Sequence, residues 1–245
     1  MHLIIDIGNT LQKLAVFNEN EKMVHWMQKD RLTIPMLDAV LSSKDQSIES
    51  AIVSSVGKDD EELLLWLGKR VKLVRFTHDC RLPIVIRYET PKTLGTDRIA
   101  NAVGANALYP EKNVLSIMAG TCLVADFVDA TGQYWGGRIA PGMRMRFQAL
   151  AQFTARLPLV EPEPIYQIIG DSTKSSILTG VIHGMANEID GMIAQYAERF
   201  PSLEVLFSGG DSPLLQNFIK KRIFAAQNPT LFGLLKILKL NASEN

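Results

Sequence analysis

The chain has 245 residues with 26 basic and 26 acidic side chains, so its formal net charge is zero. Neither sign forms a long block, which argues against nucleic acid or an anionic membrane as the main partner. No apolar run reaches the roughly 18 residues of a membrane span, and no signal-peptide core is present. The two cysteines and four histidines show no metal-ligand spacing. We therefore expect a cytoplasmic globular protein with reduced thiols.

Two short strands joined by a tight turn are predicted at the N-terminus, where apolar runs at 3–5 and 14–17 flank a polar segment. The candidate phosphate-binding residues of this segment are Asp6, Gly8, Asn9, Thr10 and Lys13. The glycine and the asparagine tolerate positive φ, so backbone N–H groups could face an anion. The threonine and the lysine would add donors, and the aspartate could hold a hydrated Mg²⁺ ion. An ordinary hairpin with an Asx turn is the alternative.

The rest of the first half alternates strands and helices. Apolar residues at 51–55 and 71–76 predict strands, and residues 60–69, which begin with acidic side chains, predict a helix. Such alternation indicates an α/β fold.

A helix is also predicted over the alanine-rich residues 99–107, with Asp97 and Arg98 at or near its first turn. Asp97 is then either a capping residue or a general base that accepts the proton of a substrate hydroxyl as it attacks phosphorus. Arg98 is either a bidentate partner for a substrate carboxylate or an ordinary surface arginine.

Residues 117–122 repeat the pattern of residues 5–10, because each follows an apolar run, contains a glycine turn and precedes a second strand. The repetition predicts two copies of a βββαβα unit, although a chance similarity between two glycine turns would look the same. Since the pattern breaks at 108–113, the predicted domains are 1–112 and 113–245. Ligands would then bind in a cleft between the two halves.

The second half contains the strongest helix signal of the chain. Apolar residues recur at three- and four-residue steps over 173–199, where Gly180 and Gly184 lie one turn apart. Further on, Gly209 and Gly210 follow the short strand at 205–207. They form either a simple turn or a surface of bare backbone on which a flat base could lie.

These segments, taken in order, resemble the type III pantothenate kinases over nearly the whole chain. The motifs that carry the resemblance are the N-terminal turn, Tyr88 with the Gly-Thr-Asp-Arg at 95–98, the turn at 119–121, the Gly-Gly-Arg-Ile-Ala-Pro-Gly at 136–142, the Thr-Ala-Arg-Leu-Pro at 154–158, Thr173, and the Ser-Gly-Gly-Asp at 208–211. The resemblance implies duplicated ribonuclease H-like, or actin-like ATPase, domains with a central cleft. It also implies a homodimer that phosphorylates pantothenate with ATP and Mg²⁺ in the first step of coenzyme A synthesis.

The resemblance also implies roles for individual residues. Besides the N-terminal turn, the ATP-binding residues would be Thr121, Gly209 and Gly210. The pantothenate-binding residues would be Tyr88, Gly95, Thr96, Asp97, Arg98 and Thr173. Asp97 would be the proton acceptor, which suits a substrate that offers both a primary alcohol and a carboxylate.

Two positions depart from the family pattern. Met118 stands where the family carries an aspartate that binds a monovalent cation, K⁺ or NH₄⁺, and a thioether is a poor ligand for a hard cation. Val124 likewise replaces a threonine. The chain is then either an active kinase without this cation site or a degenerate homologue that binds ligands without turnover. Retention of Asp6, Lys13 and Asp97 favours the kinase, and the short chain disfavours an actin-like or chaperone-like ATPase.

Overall fold

The computed structural model describes residues 1–8, 10–43, 47–57, 60–225 and 228–242, so the predicted role of Asn9 lies outside the described residues. The elements in chain order are β1 (His2–Ile7), β2 (Gln12–Phe17), β3 (Met23–Lys29), α1 (Ile34–Leu41), β4 (Ser50–Ser55), α2 (Glu61–Gly68), β5 (Lys72–Arg75), β6 (Val85–Ile86), a 3₁₀ turn (Pro91–Thr93), α3 (Thr96–Leu108), β7 (Val114–Ala119), β8 (Cys122–Val128), β9 (Gln133–Pro141), α4 (Met143–Gln152), α5 (Thr173–Arg199), β10 (Glu204–Ser208), α6 (Ser212–Leu215), β11 (Phe224–Ala225) and α7 (Pro229–Ala242).

The chain divides into two compact units. Unit 1 comprises Met1–Pro110, Gly132–Tyr134 and Pro229–Asn245, and unit 2 comprises Glu111–Thr131 and Trp135–Asn228. The C-terminal helix α7 therefore belongs to the first unit. In the part of the chain that the structure describes, no helix combines the length and the hydropathy of a membrane span.

The two sheets share one strand order. The first runs β3-β2-β1-β4-β5, with β1 antiparallel to β2 and parallel to β4. The second runs β9-β8-β7-β10-β11, with β7 antiparallel to β8 and parallel to β10. The two-residue β6 pairs with the first residues of β9. Because matching strands occupy matching places, the structure confirms the predicted duplicated α/β fold.

Local sequence explains why the longest helix begins where it does. The helix α5 has the predicted bounds, and Ser172 is its N-cap. The Ser172 and Ser175 hydroxyls each accept a hydrogen bond from the other residue's backbone N–H group, at 3.2 and 2.9 Å, which satisfies N–H groups that a helix start leaves unpaired. The buried face of α5 packs against the apolar residues of β7 and β10 in the core of unit 2.

Alternation along β1 sends side chains into two different layers of unit 1. Leu3 and Ile5 pack in a core that includes apolar residues of α1 and α2. Ile4 and Asp6 project from the opposite face, on which α7 packs against β1 and β4, and α3 packs against β4. The start of α3 is thereby held on the side of the sheet that carries Asp6.

The helices α3 and α7 approach each other through glycines. A Cβ atom on Gly104 would lie 1.9 Å from the carbonyl oxygen of Pro229, and one on Gly233 would lie 1.8 Å from that of Ala100. Both distances are far below van der Waals contact, so only glycine permits this packing of backbone on backbone.

Candidate active site

Three polar side chains form a row across the first sheet. Asp6 on β1 is the register partner of Lys13 on β2 and of Ser54 on β4, and register partners project from the same face. The Asp6 Oδ2 atom lies 3.9 Å from the Lys13 Nζ atom. The Asp6 Oδ1 atom and the Ser54 Oγ atom are buried and have no hydrogen-bond partner. The row therefore combines an ion pair with two oxygen atoms whose hydrogen-bonding capacity is unused.

The electrostatic surroundings of Asp6 include Asp97. Burial raises the pKa of the Asp6 carboxyl above its ordinary value, the Lys13 ammonium opposes this rise, and the Asp97 carboxylate adds to it. Residues from the N-terminal strand and from the start of α3 thus form one charged site within unit 1. Two carboxylates that repel each other beside a single ammonium group would be stabilised by a further cation.

The turn after β1 is tight. The Gly8 N–H group donates to the Leu11 carbonyl oxygen at 3.2 Å, and a Cβ atom on Gly8 would lie 2.9 Å from that oxygen. Thr10 in the same turn is exposed. The structure therefore brings Asp6, Gly8, Thr10 and Lys13 to one end of the β1–β2 hairpin, as the sequence predicted.

Asp97 and Arg98 lie in the first turn of α3, but the interpretation of Asp97 as its cap is wrong. The N-cap is Gly95, while the Asp97 Oδ1 atom accepts a hydrogen bond from the Arg98 N–H group at 2.9 Å. A Cβ atom at position 95 would lie 2.4 Å from that same oxygen. The glycine therefore leaves space for the carboxylate, whose side chain is partly exposed.

Arg98 is 7% exposed, so the alternative of an ordinary surface arginine is wrong. Its Cζ atom lies 5.8 Å from the centroid of the Tyr88 ring. The Tyr88 ring lies 6.2 Å from the ring of Tyr134, which also belongs to unit 1. A guanidinium group packed against an aromatic ring is held in one orientation, which suits bidentate recognition of a carboxylate.

In unit 2, the two predicted glycine turns pack against each other. Gly209 has φ +103°, and a Cβ atom there would lie 2.1 Å from the Ala119 carbonyl oxygen, which accepts a hydrogen bond from the Asp211 N–H group at 3.0 Å. The structure thus brings Gly209 and Gly210 to the turn that carries the exposed Thr121. Thr173 is exposed at the first position of α5.

Met118 takes in β7 the place that Asp6 takes in β1. Its register partners are Val124 on β8 and Ser208 on β10. The second sheet therefore repeats the serine of the first row but replaces the aspartate and the lysine by a thioether and an alkyl group. Among the described residues, no cluster of three or more His, Cys, Asp or Glu side chains is arranged to hold a metal ion.

The sequence interpretation missed Ser54, which completes the row in unit 1. It lies in an apolar strand and resembles a strand residue of no special function. The signal that could have identified it is a hydroxyl residue near the carboxyl end of a parallel strand, next to the strand that carries Asp6.

Comparison with known proteins places this geometry in context. A model of the family described as type III pantothenate kinase matches residues 2–195. A type III pantothenate kinase from Christiangramia forsetii is 44% identical, with all of both chains covered. A Campylobacter jejuni protein described as a Baf family transcriptional activator has a TM-score of 0.57, with 20% identity and 98% of each chain covered. A ROK family glucokinase from Streptomyces griseus, in complex with glucose and AMPPNP, has a TM-score of 0.51 with 13% identity, covering 97% of this chain and 99% of its own.

Proposed function

Because the chain belongs to the type III pantothenate kinase family, we propose that it transfers the γ-phosphoryl group of ATP to the primary alcohol of pantothenate, giving 4′-phosphopantothenate. The observation that supports this most strongly is the ion pair of Asp6 and Lys13 at 3.9 Å, next to a second carboxylate, Asp97, whose charge acts on Asp6. Phosphoryl transfer needs little more from a protein than positioned reactants and compensated charge.

The Asp97 carboxylate accepts the proton of the pantothenate hydroxyl as its oxygen attacks the γ-phosphorus. The hydrogen bond from the Arg98 N–H group fixes the orientation of this carboxylate. Arg98 binds the pantothenate carboxylate, and the other substrate-binding residues are Tyr88, Gly95, Thr96 and Thr173. The residues proposed to bind ATP are Asp6, Gly8, Asn9, Thr10 and Lys13 from the N-terminal turn, with Thr121, Gly209 and Gly210 from unit 2.

Mg²⁺ fits the donor set at Asp6. The Asp6 Oδ1 atom is a buried carboxylate oxygen without a hydrogen-bond partner, and Mg²⁺ takes one or two carboxylates together with water and phosphate oxygens. Asp6 would hold the ion, which would neutralise charge on the phosphates. For a monovalent cation the residues do not fit, since Met118 and Val124 offer no oxygen at the position corresponding to Asp6, and the Ser208 hydroxyl is the one side-chain oxygen of this row. We propose a K⁺-independent enzyme.

The assembly proposed is a cytoplasmic homodimer. It is supported by large exposed apolar side chains in the segment from 153 to 169, namely Phe153, Leu159, Tyr166, Ile168 and Ile169. A segment with so many large exposed apolar side chains is typical of an association surface. The two copies of the duplicated unit are proposed to comprise residues 1–112 and 113–245. The helix α7 would then be the last helix of the second copy, although it packs in unit 1.

The decisive experiment follows the formation of 4′-phosphopantothenate by the wild type and by Asp97→Asn. We expect the variant to lose about 10²–10⁴-fold in kcat, the range for removal of a general base, with both proteins equally stable. Asp79→Asn, which changes an exposed aspartate elsewhere in unit 1, is the matched control. Calorimetric binding of pantothenate or ATP without any turnover would instead support the degenerate, ligand-binding homologue.

A further inference from the structure

We propose that Ser54 is a positioning residue for the divalent cation. Its Oγ atom accepts a hydrogen bond from a water molecule that is coordinated to the ion bound by Asp6, so that the carboxylate and the hydroxyl hold the hydrated ion together. The inference rests on the proposed role of Asp6, and it assigns a function to a side chain outside the family motifs in this sequence.

Ser54 lies directly beside Asp6 in the first sheet. Ser54 on β4 is the parallel register partner of Asp6 on β1, so the two side chains project from the same face of the sheet with their Cβ atoms about 5 Å apart. Lys13 is the partner of Asp6 on the other side. Asp6 therefore lies between a cation that it already pairs with, at 3.9 Å, and a hydroxyl group that it does not contact by a hydrogen bond.

Buried oxygen atoms of Ser54 and Asp6 lack hydrogen-bond partners. Ser54 is 0% exposed and Asp6 is 6% exposed, yet neither the Ser54 Oγ atom nor the Asp6 Oδ1 atom has a hydrogen-bond partner. A buried hydroxyl without a partner destabilises the folded state, and alanine would fill the same place in the strand without that cost. Two unsatisfied oxygens on adjacent strands are explained together by one ligand that both of them contact.

The hydration of Mg²⁺ also favours a hydroxyl group next to Asp6. Mg²⁺ gives up water reluctantly and usually keeps several water ligands when it binds one or two carboxylates. A coordinated water needs hydrogen-bond acceptors, and a serine oxygen is a neutral one that leaves the charge balance at the site unchanged. Ser54 thus matches a hydrated ion on Asp6 better than it matches a direct contact with ATP.

The test compares Mn²⁺ affinity, measured by electron paramagnetic resonance in the presence of a non-hydrolysable ATP analogue, with the melting temperature of the ligand-free protein. Loss of one hydrogen bond predicts about three- to tenfold weaker Mn²⁺ binding for Ser54→Ala. The same variant should melt at the same or a higher temperature than the wild type, since it loses an unsatisfied buried group. A serine that serves only the fold would give the opposite pair of results, with unchanged Mn²⁺ affinity and a lower melting temperature.

Two controls make the outcome specific. Ser55→Ala removes the neighbouring hydroxyl, which points to the other face and bonds within its own turn to Gly57, and it should leave Mn²⁺ affinity unchanged. Asp6→Asn should abolish most Mn²⁺ binding; if it does not, the proposed role of Asp6 fails. If Asp6→Asn behaves as expected while Ser54→Ala matches the wild type, the inference about Ser54 alone is overturned. Should Ser54→Ala fail to fold, Ser54→Cys keeps the volume with a weak hydrogen-bonding group and must show the same loss of affinity.

Discussion

A methyl group at the contact between α3 and α7 should damage both stability and catalysis. In Gly233→Ala the new Cβ atom would lie 1.8 Å from the Ala100 carbonyl oxygen, whereas an ordinary van der Waals contact begins near 3.4 Å. The helices must therefore separate by about 1.6 Å, the difference between these two distances. Overpacking of this kind costs about 1–3 kcal/mol, and the greater helix preference of alanine offsets up to about 1 kcal/mol. We expect a net loss of about 1–2 kcal/mol in the free energy of unfolding.

Catalysis should fall in the same variant because Ala100 lies one turn after Asp97 on α3. A displacement of about 1 Å in a catalytic group can cost roughly 10²-fold in rate, so kcat for pantothenate phosphorylation should fall about ten- to a hundredfold. Urea unfolding and a steady-state kinase assay measure the two effects. Gly191→Ala on α5 is the matched control, because its Cβ atom would meet nothing within 4 Å; it should keep its activity and gain up to about 1 kcal/mol. The reasoning is refuted if Gly233→Ala is as stable and as active as Gly191→Ala.

Three further predictions concern the charged residues and the monovalent-cation position. Because burial raises the pKa of Asp6 in the folded protein, the protonated carboxyl is favoured on folding, and the wild type loses stability as the pH rises above the ordinary carboxyl pKa of about 4 towards the raised pKa. The unfolding free energy of Asp6→Asn relative to wild type should therefore increase as the pH rises above about 4. A constant difference in urea titrations would contradict this. Replacing Na⁺ by K⁺ should change kcat/KM by less than about twofold, since the Met118 thioether is a poor ligand for a monovalent cation. A steep K⁺ requirement would show that oxygen atoms from other residues form the cation site. Arg98→Met should raise the KM for pantothenate about 10- to 100-fold, as expected for losing a charged hydrogen bond. The KM for a pantothenate analogue without the carboxylate should stay nearly the same. An equal rise in KM for both compounds would exclude the assigned contact.

The strongest periodic signal in the sequence yielded the most accurate element. The apolar stripe of 173–199 predicts α5 with its observed bounds. Ser172 caps the start of the helix, and Phe200 ends it by adopting an extended backbone conformation. The helix α7 was not predicted, because most of its residues from Pro229 to Leu238 are buried, and a helix that is apolar on every side shows no periodic contrast. The strand β3 alternates only between partly buried and exposed positions, which leaves its sequence without an apolar face.

The candidate site was predictable where chemistry alone marks a residue. A carboxylate and a lysine around a glycine turn can be recognised in the sequence, and the structure places Asp6 and Lys13 together. The burial of Arg98 and the contribution of Ser54 depend instead on packing partners distant in the chain, namely the Tyr88 ring and the β1–β4 register. Serine and arginine are mostly surface residues, so their burial here could come only from coordinates.

The two sheets allow the degenerate alternative to be weighed on physical grounds. Each sheet carries the same row of three register partners, and both rows end in a buried serine, but only the first row keeps a carboxylate and an ammonium group. A buried charge such as Asp6 that serves no ligand would destabilise the folded state. Burial and the neighbouring Asp97 raise the folded-state pKa of Asp6, while Lys13 opposes this rise. A bound cation would favour the ionised carboxylate in the same way as Lys13 does. A buried carboxylate with an unsatisfied oxygen in the first row, beside a neutral second row, is therefore best explained by a charged ligand that binds to unit 1.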